Sequence, residues 1–178
     1  MVTAVLGPSG CGKTASLRNF IANHLYSYCN LGNFSGPFYV IEREGYEDYS
    51  FVFNEKNVKV MTPKDDLDFL LFVKEKAIVI DCEDETNSFL EFVEKLISVS
   101  EINRTKIYFT AFWVDEEKIA QILKKCNMFY VNPMGYNESF MEDFNRFVFP
   151  GELLPPPMFE YRSMFDRFYT IKKTGISQ

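Results

Sequence analysis

Six short apolar stretches punctuate the chain, each of strand length and each followed by a more polar segment. They cover residues 2–7, 37–42, 57–62, 77–81, 105–111 and 127–131, and they read as β-strands. Between or after them lie segments of helical character at 13–28, 64–75, 86–100, 115–125 and 137–147. The first places Leu17, Phe20, Ile21 and Leu25 on one face. Runs such as Ala77-Ile78-Val79-Ile80 are apolar without alternation, the mark of a strand buried on both sides in a parallel sheet. Strands alternating with helices predict a three-layer α/β domain, a mainly parallel sheet with helices on both faces. No internal repeat interrupts this pattern. The one break in composition is Pro150-Gly151-Glu152-Leu153-Leu154-Pro155-Pro156-Pro157, which reads as a stiff polyproline-like linker. It divides a domain at 1–149 from a linker and arm at 150–178. The arm holds a last strand near Arg167 to Lys172 and is expected to close the sheet edge or reach a neighbouring subunit.

The strongest chemical signal follows the first strand. Gly7-Pro8-Ser9-Gly10-Cys11-Gly12-Lys13-Thr14 matches G-x-x-x-x-G-K-[ST], the phosphate-binding loop. Glycines let backbone N–H groups turn inward and cradle phosphates without a Cβ in the way. Lys13 can reach β- and γ-phosphate oxygens, and the Thr14 hydroxyl can ligate Mg²⁺. A strand before the loop and an amphipathic helix after it supply the required context. Residues 7–14 are therefore expected to bind a nucleoside triphosphate. The acid closing the fourth strand, Asp81, suits the Walker B role of holding the Mg²⁺ shell. The bland alternative for Asp81 is an acidic turn, with Glu83, Asp84 and Glu85, leading into the helix near Thr86 to Ser100.

Composition narrows the chemistry. The 178 residues are 47% hydrophobic and 25% charged, a globular balance. A net charge of −6 excludes a generally basic nucleic-acid binder but not a small basic lining inside an assembled ring. His24 is the single histidine, so a histidine triad or multi-histidine metal site is excluded. Cys11, Cys29, Cys82 and Cys126 fit neither metal spacing nor a disulfide framework. No apolar run reaches the roughly 18 residues of a membrane span. The first residues run straight into the glycine loop, leaving no room for a signal peptide. A soluble, intracellular-type protein is expected.

Beyond the loop and Asp81, the order of elements resembles the HerA/FtsK branch of P-loop ATPases, which includes the genome-packaging ATPases of viruses. Phe38-Tyr39-Val40-Ile41 ends in Glu42-Arg43-Glu44-Gly45-Tyr46-Glu47, similar to the family's strand ending in an acid and a short turn. Val58-Lys59-Val60-Met61 leads to an acidic helix start and on to the Walker B strand. Arg104-Thr105-Lys106-Ile107-Tyr108-Phe109-Thr110-Ala111 is similar to the family's arginine-containing entry to a strand ending in a polar sensor. The resemblance implies a Mg²⁺-dependent ATPase that translocates DNA through the channel of a homo-oligomeric ring and packages a viral genome. It implies capsid or membrane-vertex proteins as partners, and a place in the host cytoplasm and the virion. Thr110 would sense the γ-phosphate, and Arg104 would act as an arginine finger in a neighbouring subunit's site.

Two departures stand out. Cys82 occupies the position directly after Asp81 where the family commonly carries Glu, and Thr110 is followed by Ala111-Phe112-Trp113 rather than a Gln. The catalytic base then falls to Glu42 or to Glu83, in that order of preference. Two other readings stay open. A guanylate-kinase-like nucleotide kinase shares the Gly-Pro-Ser-Gly start, though the arginines here are scattered and no Arg-rich lid is evident. A nucleotide-gated P-loop assembly factor would need no fast turnover. No L-S-G-G-Q signature supports an ABC subunit.

Overall fold

A computed structural model describes residues 1–26, 38–50, 58–82, 86–111, 117–131 and 169–172. Seven strands form one sheet: β1 (Val2–Leu6), β2 (Phe38–Glu42), β3 (Val58–Met61), β4 (Ala77–Asp81), β5 (Lys106–Ala111), β6 (Met128–Val131) and β7 (Tyr169–Lys172). Three α-helices are described: α1 (Lys13–Tyr26), α2 (Asn87–Ser100) and α3 (Glu117–Lys124). The strand order is β3-β2-β4-β5-β1-β6-β7. β1 to β6 are mutually parallel, and β7 runs antiparallel along β6, pairing Met128 with Lys172 and Val131 with Tyr169. This is the three-layer α/β fold that the alternation predicts.

Each face of the sheet has its own core. On one side Ile41, Ile78, Ile80, Ile107, Phe109 and Phe129 pack with Phe89, Leu90, Val93, Leu96 and Ile97 of α2 and with Ile119, Ile122 and Leu123 of α3. The α2 residues recur at helical spacing, so one face is apolar and turns inward. Burying a Leu, Ile or Phe contributes about 1.5–3 kcal/mol, so this face suffices to dock the helix. On the other side Val5, Phe38, Val40, Val79 and Tyr108 pack with Leu17 and Ile21 of α1 and with Tyr49 from the loop after β2.

The helix expected over 64–75 is instead a short 3-10 helix, Asp68–Phe72. The start is diverted because the Asp65 carboxylate accepts the Thr62 backbone N–H at 2.6 Å and its hydroxyl at 3.1 Å, closing a local turn. The end comes at Val73, whose extended backbone (ψ 140°) leads toward β4. The helix expected over 137–147, the linker from 150 and the start of the last strand before residue 169 lie outside the described residues. Among the described residues, no helix is long and apolar enough to cross a membrane.

Candidate nucleotide-binding site

The glycine loop joins β1 to α1 at the carboxyl ends of the parallel strands, where open α/β sheets bind ligands. Gly10 and Gly12 hold φ of 74° and 98°, left-handed values that L side chains avoid. A Cβ built on either would meet no atom within 4 Å, so backbone conformation rather than space demands glycine here. The Cys11 N–H donates to the Pro8 carbonyl at 3.3 Å, and the Ser16 N–H donates to the Gly12 carbonyl at 2.9 Å as α1 begins. Lys13 is buried, and its ammonium donates to the carbonyls of Gly7 at 2.7 Å and Pro8 at 3.1 Å. The start of α1 adds the positive end of a helix dipole to this cationic loop.

A cleft of about 290 Å³ opens beside the loop. Ser9, Gly10, Gly12, Lys13 and Thr14 form one wall, and Arg43, Tyr46, Asp48, Asp81 and Cys82 form the other. Asp81 reaches it because β4 ends there, two strand spacings from β1 with β5 between, or about 10 Å. Glu42 and Asp81 are register partners at the ends of β2 and β4. By strand alternation, Glu42 shares the α1 face with Phe38 and Val40, as Asp81 does with Ala77 and Val79.

Glu42 is buried, and burial, the largest influence, raises its carboxyl above the usual glutamate range. The Tyr49 backbone N–H, donating to Oε2 at 3.3 Å, opposes that rise; the charges of Asp48 and Asp81 add to it. Its carboxylate does not line the cleft. It borders a second cavity of about 420 Å³, with residues of β3, Thr62 and Asp65.

Other expected residues separate. Thr110 is buried on β5, and its hydroxyl donates to the Ile80 carbonyl at 3.3 Å. Thr110 is not among the residues that line the cleft. Arg104 lies two residues before β5, at the amino-terminal end of the strands and so opposite the cleft, with a left-handed φ of 52° and an ion pair to Glu75 at 3.6 Å. It does not belong to the cleft of its own chain. Glu83 lies outside the described residues.

Four cleft-side residues carry no role in the sequence reading: Arg43, Tyr46, Asp48 and Tyr49. They come from the loop 43–50, which folds back over the strand ends. Arg43 stacks over the Tyr46 ring, 5.0 Å from its centroid, presenting a second cation opposite Lys13. Tyr49 is fully buried, and its hydroxyl donates to Asp81 Oδ2 at 2.8 Å. Burial, then the nearby Asp81, raises the phenol far above its usual range, so it remains a donor. The only signal in the sequence was the density of acids and tyrosines directly after a strand end.

A glycine loop between the first strand and helix of a parallel sheet, with an acid ending a strand across the cleft, defines the P-loop class of α/β proteins. No protein-family model matches the chain, and no curated protein matches it. Among solved structures, it is similar to the genome-packaging NTPase B204 of Sulfolobus turreted icosahedral virus 2, in complex with ATP-gammaS. That likeness covers 83% of this chain and 81% of that one, at 9% identity and a TM-score of 0.49.

Proposed function

We propose that this chain is a Mg²⁺-dependent ATPase that translocates DNA, most specifically one that packages a viral genome into a capsid. The observation that carries the ATPase reading is the cleft itself, which Lys13 and Thr14 line together with Asp81 and Arg43. The DNA-packaging part rests on the resemblance of the sequence to HerA/FtsK motors. Residues 7–14 would hold the triphosphate through backbone N–H groups and Lys13. Thr14 and Asp81 fit Mg²⁺: a hydroxyl and a carboxylate on one cleft are the small protein set this ion takes beside phosphate oxygens and water. When bound, Mg²⁺ would neutralise charge on the β- and γ-phosphates.

Water would then attack the γ-phosphorus in line as the bond to the β–γ bridging oxygen breaks and ADP leaves, with a carboxylate orienting the water and accepting its proton. Glu42 would take that part from the neighbouring cavity that it borders beside Asp81, as a buried acid of raised proton affinity, the property a base needs; Asp48, which lines the cleft itself, is the rival. Arg104, exposed at the opposite end of the strands, would serve the site of the next subunit in a ring, where such a finger stabilises the transferring phosphoryl group. DNA would pass through the ring channel along lysines summed over the copies, so an acidic whole is compatible with phosphate contact. Capsid or membrane-vertex proteins would anchor the ring in the host cytoplasm and on the virion.

The test measures phosphate release from ATP with and without DNA, and phosphoryl transfer to GMP. DNA-stimulated release, abolished in Lys13→Ala with the fold intact, is expected. Wild-type hydrolysis by Lys13→Ala overturns the P-loop reading; transfer to GMP makes the chain a kinase. Binding of ATP without turnover leaves the assembly-factor reading.

A further inference from the structure

Tyr49 has the largest side chain among the fully buried described residues, yet it comes from a loop rather than from a strand or helix. Bringing a phenol inside requires a partner for its O–H, and the partner here is the carboxylate of Asp81, at 2.8 Å. The same residue gives its backbone N–H to Glu42 Oε2 at 3.3 Å. One loop residue thus bonds two acids that lie side by side on neighbouring strands. Its ring belongs to the buried cluster that also holds Val40, Val79 and Leu17, which anchors the residue in the core. A hydrogen bond to an ionised group is stronger than a neutral one, so this bond holds the Asp81 carboxylate more firmly than a neutral pair would.

We propose that Tyr49 is a positioning residue for the cation site: its hydroxyl fixes the orientation in which Asp81 borders the cleft. It also pins the loop that carries Arg43 and Tyr46 to the same wall. The proposal rests on the nucleotide-binding reading of the cleft and extends it to a residue outside the glycine loop and the Walker B strand. Tyr49 acts through Asp81 and touches no phosphate.

The experiment uses Tyr49→Phe, which keeps the ring and removes the O–H. Binding of N-methylanthraniloyl-ATP is followed by fluorescence as Mg²⁺ is titrated, and again in EDTA. The Mg²⁺ concentration for half-maximal binding should rise about 10-fold, the lower end for loss of a partner behind a metal ligand. Binding in EDTA should be unchanged. Because the effect passes through Asp81, Tyr49→Phe in an Asp81→Ala background should add no further shift. Wild-type Mg²⁺ dependence in Tyr49→Phe, or a full further shift in the Asp81→Ala background, overturns the proposal. So does loss of the fold by circular dichroism, since the hydroxyl would then be a determinant of folding. A wild-type chain that fails to bind the analogue at any Mg²⁺ level overturns the nucleotide reading itself, a result distinct from the others.

Discussion

Glu42 and Asp81 place two carboxylates on adjacent strand ends, and the buried one bears the cost of desolvation. Because the raised carboxyl binds its proton more tightly in the folded state than in the unfolded chain, stability from this group is present at low pH and falls as pH rises through its folded value. Glu42→Gln should therefore melt at a higher temperature than wild type near neutral pH, with the gap closing on acidification below the ordinary glutamate value. In turnover the sign reverses, since a base must be ionised. The wild-type rate should climb along an acidic limb lying above the ordinary glutamate range, and Glu42→Gln should lose that limb and about 100-fold or more in rate while still binding ATP. Asp48, which does line the cleft, is the comparison: if Asp48→Asn loses the limb instead, the base is Asp48. Lys13, Thr14 and Asp81 were legible because fixed spacing and a strand end announce them. Tyr49 was not, because burial of a loop residue depends on where the loop lands, and no local periodicity encodes that.

The strands were legible from their apolar runs, and α1, α2 and α3 from helical spacing. The segment around Leu67 to Phe72 reads as part of a longer helix because propensity sums over a window, whereas the structure holds only a short 3-10 turn there. A side-chain turn at Thr62–Asp65 and an extended Val73 decide the outcome locally. Just beyond it, Glu75 and Arg104 both adopt left-handed backbone, at φ of 54° and 52°, and face each other in an exposed ion pair. Such a pair contributes little, whereas the backbone costs roughly 1–2 kcal/mol at each L residue. Arg104→Gly should relieve one of these costs and raise the stability of the chain by about 1 kcal/mol, read as an increase in melting temperature. If Arg104 reaches a neighbour's phosphates, the same stabilised variant should bind ATP normally yet lose about 1,000-fold in turnover within the assembled form. A more stable chain with unchanged turnover removes Arg104 from the reaction.

At the scale of the whole molecule, alternation of strands and helices was enough for the fold class, but it left the strand order open. Which strand lies next to which is decided by crossovers and by cores on both faces, not by any one segment. The order places β1 in the interior of the sheet, held between β5 and β6. Val2 pairs with Ile107 and Thr3 with Met128, so its partners follow it by about a hundred residues or more. Pairings so distant in sequence are slow to form, because loop-closure entropy is lost before contacts offset it. During synthesis the glycine loop would leave the ribosome well before β5 and β6, attached to a strand with neither partner yet made. Chains ended at residue 105 should remain sensitive to protease and should not retain the fluorescent nucleotide, even though they carry the whole phosphate-binding motif. A segment made so far ahead of its partner strands is thus among the last to find its place, and until then it is a client for chaperones rather than a working site.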